Sequence, residues 1–145
     1  MSIGMTVFNS TTGETMVETG VGLVPNGPAM DKSFFYNAPV SGPVFIANRP
    51  CTIKAITIRP LVAGTDAGAV TLVVRKAPSG TAITAGTALH SGSANLKGAV
   101  DVNQILTLSA TPADIAIAVG DAIGFHVTGV TTAATGVVSI EIAPA

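Results

Sequence analysis

The sequence predicts an all-β protein, an antiparallel β-sandwich of jelly-roll type behind an extended N-terminal arm. Three observations predict it. Apolar residues make up 48 % of the chain, yet aromatics are only 4 % and Trp is absent, so the apolar content is chiefly Ala, Val, Ile and Leu. With the many threonines, Val and Ile supply stiff, branched side chains that pack well on a pleated sheet. Short runs of these residues are separated by Gly, Pro, Asn and Asp, the residues that turns require. No segment carries an i, i+3, i+4, i+7 apolar stripe with helix caps. At 145 residues the chain suits one domain and can bury a core without metal or disulfide.

Residues 1–42 are interrupted by glycine and proline at short intervals, from Gly4 to Gly42, which leaves no room for a long element. The segment still carries Val7, Phe8, Met16, Val17, Phe34, Phe35 and Tyr36, unlike a disordered tail. Two readings stand side by side: an extended arm ordered by contact, or additional strands of the same body. Residues 43–145 read as the sandwich domain. Pro43–Ala47 is a short strand. In Thr52–Arg59, closed by Pro60, Ile53 and Ile56 fall on opposite parities, which predicts either burial of both faces or a β-bulge. Val70–Lys76 follows a polar Gly64–Gly68 turn. Pieces at Ala88–Gly92 and Ala94–Leu96 are short, and a single turn near Val100–Asn103 has helical character. Gln104–Leu108 and the alternating run Ala113–Val119 come next. Ala122–Thr128 places Ile123, Phe125 and Val127 on one face, and Val137–Ile142 turns Val138, Ile140 and Ile142 inward. These two runs alternate cleanly, as strands with one buried face do.

The chain offers little material for catalysis, and no enzyme is expected. Charged residues are 10 % of the total, against roughly 25 % in an average soluble domain. His90 and His126 are the only histidines and Cys51 the only cysteine, so no zinc pattern exists and no intramolecular disulfide forms. His126 alternates with Phe125 and Val127 and so points away from their face. Ser91 beside His90 is adjacency in sequence, which does not supply the geometry of a nucleophile and its base. The acids are scattered, and Asp66, Asp114 and Asp121 sit in apparent turns, where carboxylates bond local backbone. A calcium site in the Gly64–Gly68 loop would have one carboxylate, thin for a cation that takes six to eight oxygens. No catalytic, cofactor-binding or metal-ligating residue is assigned, and no cofactor is expected. Nor is a nucleic-acid partner, because the net charge is −1 and no cationic cluster is available to neutralise phosphates. No apolar stretch approaches the ~20 residues of a membrane span, and the N-terminus lacks the basic and apolar regions of a secretory signal.

The texture of Thr52–Arg59, Val70–Lys76, the run Val119-Gly120-Asp121-Ala122-Ile123-Gly124-Phe125-His126-Val127-Thr128-Gly129 and the terminal strand Val137–Ile142 resembles small β-sandwich virion proteins of tailed bacteriophages, particularly head decoration (cement) proteins and head-fibre base domains. The resemblance covers roughly residues 45–145. It implies a structural protein made in the host cytoplasm and carried on the capsid exterior. Its partners would be the major capsid protein and further copies of itself, with a trimer favoured. A low surface charge also protects a free monomer poorly and suits life in an assembly. The expected partner contacts are the apolar arm residues Val7, Phe8, Phe34, Phe35 and Tyr36. The alternative is a receptor- or glycan-binding module of a phage fibre or other surface appendage.

Overall fold

The computed structural model describes residues 29–145 throughout, together with the backbone of three strands that precede them. Those three, β1 (Thr6–Asn9), β2 (Glu14–Glu18) and β3 (Leu23–Pro25), pair antiparallel as a sheet in the order β1-β2-β3. Ten strands follow: β4 (Met30–Asn37), β5 (Gly42–Ile46), β6 (Cys51–Val62), β7 (Thr71–Ala77), β8 (Thr87–Ala88), β9 (Ala94–Asn95), β10 (Gln104–Ile105), β11 (Ala116–Ile117), β12 (Ala122–Thr128) and β13 (Thr135–Pro144). They form two antiparallel sheets. The first has the order β10-β6-β13-β4 with β11 beside β6, and the second the order β5-β12-β7-β8 with β9 beside β7. Among the described residues helix is limited to one turn, α1 (Pro112–Ile115), and a 3-10 turn at Ile83–Ala85. The all-β expectation holds.

The sheets face each other across an aliphatic core. Ile53, Ile56 and Ile58 of β6 and Val138 and Ile140 of β13 meet Leu72 and Val74 of β7 and Ile123 of β12, all fully buried. Each such side chain contributes about 1.5–3 kcal/mol on leaving water. The few aromatics lie at one flank. The Phe34 ring of β4 stacks on Phe45 of β5 at 5.5 Å and meets Phe125 of β12 edge-on at 6.3 Å, so they fasten the first sheet to the second.

The parity conflict in β6 resolves as a bulge. Glu141 stands opposite Ala55 and Ile142 opposite Ile53, which leaves Lys54 without a partner in the ladder. One extra residue reverses the alternation, so Ile53 and Ile56 both turn inward while Lys54 stays exposed. A second shift lets β6 run past Pro60, where the sequence predicts an end. Gly136 pairs with Pro60 and Thr135 with Val62, and at such an irregularity the missing proline N–H breaks no ladder.

Two further expectations change. Met30–Asn37 pairs along its whole length with β13, so this part of the N-terminal third adds a strand to the body, one of the two readings open in the sequence. The run Ala113–Val119 is not one strand. Pro112 starts the turn α1, where its fixed φ is favourable, and Asp114 accepts a hydrogen bond from Ser109 Oγ at 2.6 Å. Only Ala116–Ile117 pairs with β6. Val119 is therefore 62 % exposed, while Ile117 is buried.

Part of the outer side of the second sheet is covered by its own chain. Ile83 is buried yet stands apart from the central cluster, against β12, β7 and β5. Arg75 Nη1 holds this strap by donating to Thr84 O at 2.8 Å and Gly86 O at 3.1 Å. Small residues make room, for Ala77 and Gly124 are buried beneath. A Cβ on Gly124 would lie 2.2 Å from the Gly42 carbonyl oxygen at the β5–β12 bulge. Gly124→Ala is expected to cost about 1–3 kcal/mol and to lower the melting temperature by roughly 2–4 °C per kcal/mol. Gly68→Ala, where no atom lies within 4 Å, should stay within about 0.5 kcal/mol of the parent. Thermal unfolding followed by circular dichroism compares the two.

Candidate interaction surface

Strand alternation divides the aromatic residues of β4 between two environments. Phe34 packs on the core and Tyr36 is 3 % exposed, whereas Phe35 is 67 % exposed on the outer side of the first sheet. Of the five residues expected to touch a partner, Phe34 and Tyr36 are thus structural, and Phe35 is available at the surface. Val7 and Phe8 lie on β1, opposite Met16 and Thr15, and their side chains fall outside the described residues. Tyr36 Oη finds no hydrogen-bond partner. Burial raises its pKa, so the phenol is neutral and acts here as an aromatic filler. Gly136 across the ladder leaves the room for it, since a Cβ there would lie 2.3 Å from Tyr36 Oη.

Pairing register builds the surface around Phe35. Phe35 stands opposite Val137, and Val137 opposite Arg59. The next row is Ser33, Ser139, Thr57 and Ile105. On the other side lie Asn37, Thr135 and Val62, and beyond the serine row lie Asp31, Glu141 and Ala55. Ile105 is 78 % exposed and Val62 47 %. Arg59 is held by Asp101 at 3.6 Å, an exposed pair that adds little stability but neutralises the one cation in these rows. The result is a broad sheet face whose serine, threonine and valine rows are small and uncharged, with Arg59, Asp31 and Glu141 as its charged groups and Phe35 and Ile105 projecting at its margins. Unlike the outer side of the second sheet, no strap of the described residues crosses it. Depletion of charge with retained aromatic and aliphatic groups is what the centre of a protein interface requires.

Catalytic groups are not brought together. Among the described residues no three His, Cys, Asp or Glu side chains converge. His126 pairs with Val73 and looks outward from β12, while His90 is buried between the sheets. Ser91 Oγ turns to Thr107 O, so it makes no hydrogen bond to the neighbouring imidazole. Cys51 is buried, and desolvation raises its thiol pKa, with Arg49 opposing and Asp121 reinforcing the shift. That holds it as an unreactive thiol. In the Gly64–Gly68 loop the Lys97 ammonium donates to Asp66 O at 2.5 Å and Gly68 O at 3.2 Å, placing a built-in cation on carbonyls that a metal would need. No helix among the described residues is long and apolar enough to cross a membrane.

No protein-family model, curated protein or solved structure matches this chain. Sequence periodicity places Ile105 on the opposite parity to Leu106 and Leu108, which signals its exposure. Its position in a row with Thr57 and Ser139 had no local signal, because that row is assembled by pairing of distant strands. Phe35→Ser is expected to change stability by no more than about 0.5 kcal/mol. Phe34→Ala should cost about 2–4 kcal/mol, near the lower range for buried phenylalanine because its ring is only half-buried. Denaturant unfolding of both variants measures the contrast.

Proposed function

We propose that this chain is a structural virion protein, a capsid decoration or cement protein that binds the outer surface of a shell as a homo-oligomer, with a trimer favoured. The observation that carries the reading is the outer face of the first sheet, which no strap of the described residues crosses, with small polar rows and Phe35 and Ile105 exposed upon it. A non-catalytic sandwich with such a face is suited to adhesion. Binding that occurs only to the assembled shell stabilises it by mass action. Residues 1–28 join β4 at Met30, the edge of this same sheet, and are proposed as the arm that reaches a neighbouring subunit.

A jelly-roll topology belongs to the same proposal, and strand pairing supports it. The eight strands β4, β5, β6, β7, β8, β10, β12 and β13 pair as one long folded hairpin. The outermost pair is β4 with β13, followed by β5 with β12, β6 with β10 and β7 with β8. Rolling that hairpin brings β13 beside β6 and β12 beside β7, which closes the two four-stranded orders typical of such sandwiches.

The test uses empty shells assembled from a tailed-phage major capsid protein. Purified protein should bind them and raise their disassembly temperature. Phe35→Asp should weaken binding at least about tenfold, near 1.4 kcal/mol, with the sandwich still folded by circular dichroism. Deletion of residues 1–28 should also reduce binding and leave β4 to β13 intact. Shells unaffected by the full chain, together with binding to cells or glycans, would replace this reading with a fibre-tip module.

A further inference from the structure

His90 occupies a fork between the two sheets. Beyond β8, Leu89 N–H donates to Val74 O at 3.0 Å, which continues the pairing with β7. A regular antiparallel ladder would return Val74 N–H to the Leu89 carbonyl. That carbonyl instead accepts from Ser109 N–H at 2.9 Å, Ser91 N–H donates to Thr107 O at 2.9 Å, and His90 bridges to Leu108. Leu106 N–H then donates to Ile56 O of β6 at 2.9 Å. Hydrogen bonds thus run unbroken from the second sheet into the first along this seam.

The fork leaves Val74 N–H without its backbone acceptor, and the imidazole supplies one. Val74 N–H donates to His90 Nε2 at 3.0 Å. Nε2 must therefore carry a lone pair, so the proton sits on Nδ1, which lies 3.1 Å from Ser91 O. Both nitrogens are committed, and the residue is 3 % exposed, the only buried polar residue of the described core. Charged groups on the surrounding elements are engaged elsewhere. Arg75 of β7 holds the strap, and Lys76 Nζ donates to Ala113 O and Ala116 O at 2.6 Å each. Asp114 accepts from Ser109 Oγ, Arg59 pairs with Asp101, and Lys54 of β6 is exposed at the bulge. No carboxylate is hydrogen-bonded to the ring to stabilise an imidazolium.

We propose that His90 is an acid-operated latch: a proton added to Nε2 expels Val74 N–H and opens the seam formed by residues 89–91 and 107–109, while the ladders between β6, β12 and β13 and their partners stay closed. Burial holds the folded imidazole below its ordinary pKa of 6.5. The open or unfolded state binds the proton more readily, so stability of the seam rises with pH. The latch is fully set above about pH 6.5 and weakens as pH falls below it, by up to about tenfold in the opening equilibrium per pH unit.

Amide hydrogen exchange of the full chain between pH 8 and 5, corrected for intrinsic exchange rates, tests this. Protection of the Val74, Leu89 and Ser109 amides should fall by up to about tenfold per unit below pH 6.5, with the Ile56 and Ile140 amides unchanged. His90→Gln, which retains an acceptor that does not titrate, should abolish the dependence. Should that variant not fold, nitrogen-15 chemical shifts of the wild-type ring serve instead. They should report the Nδ1–H form at neutral pH and titration below 6.5. An imidazole that titrates at or above 6.5, seam protection that does not vary with pH, or loss of protection equally across seam and core would each overturn the latch.

Discussion

Everything in the body depends on β13 lying between β4 and β6. Its ladder to β6 runs from Thr135 to Pro144, and its ladder to β4 pairs Thr135–Ile142 with Asn37–Met30. The pairing joins the last strand of the chain to the first strand of the body, so closure entropy must be overcome before most core contacts form. Register is strict for a physical reason. A slip of one residue would turn Val138, Ile140 and Ile142 outward and drive Ser139 and Glu141 into the core. The bulge at Lys54 serves this register, because without it Ile53 could not share the buried face with Ile56.

A core of isoleucine, valine and leucine imposes a second constraint. Such side chains bury well but offer no polar handles, so irregular backbone among them needs its own solutions. At the strap the solution is subtraction. Gly124 and Ala77 leave a shallow face on which Ile83 and its turn can settle. At the seam it is substitution, where the imidazole of His90 stands in for a carbonyl that the chain has directed to the other sheet. A buried N–H with no acceptor would cost about 1–3 kcal/mol, which accounts for the presence of this one polar residue in the interior.

The same scarcity of charge shapes the outside. The second sheet hides the Ala77 and Gly124 end of its outer side beneath the strap, while no strap of the described residues crosses the outer side of the first. Adhesion needs little more than such a face. Catalysis needs convergent ionisable groups, and the described residues keep theirs apart: the carboxylates of Asp114 and Asp121 bond local groups, and the two histidines face different surroundings. The proposed role in a shell thus draws on surface texture and topology.

Much of this was legible in the chain itself. Alternation in Ala122–Thr128 and Val137–Ile142 determined which residues point inward, because the period of a strand is a local property. The parity conflict of Ile53 and Ile56 likewise narrowed β6 to two options, burial of both faces or a bulge, and pairing with β13 selected the bulge. Local signals misled where context overrides them: Pro60 lies within β6, and the alternation of Ala113–Val119 gives way to a turn of helix begun by Pro112. What the sequence by itself determined was an all-β protein with an aliphatic core. Only the tertiary structure decided that Phe35 faces outward while Phe34 and Tyr36 fill the core, that Ile105 joins Phe35 on one open face, and that His90 closes the seam. Each of these follows from pairing between strands far apart in the chain, and no local pattern encodes which distant strand supplies the neighbour.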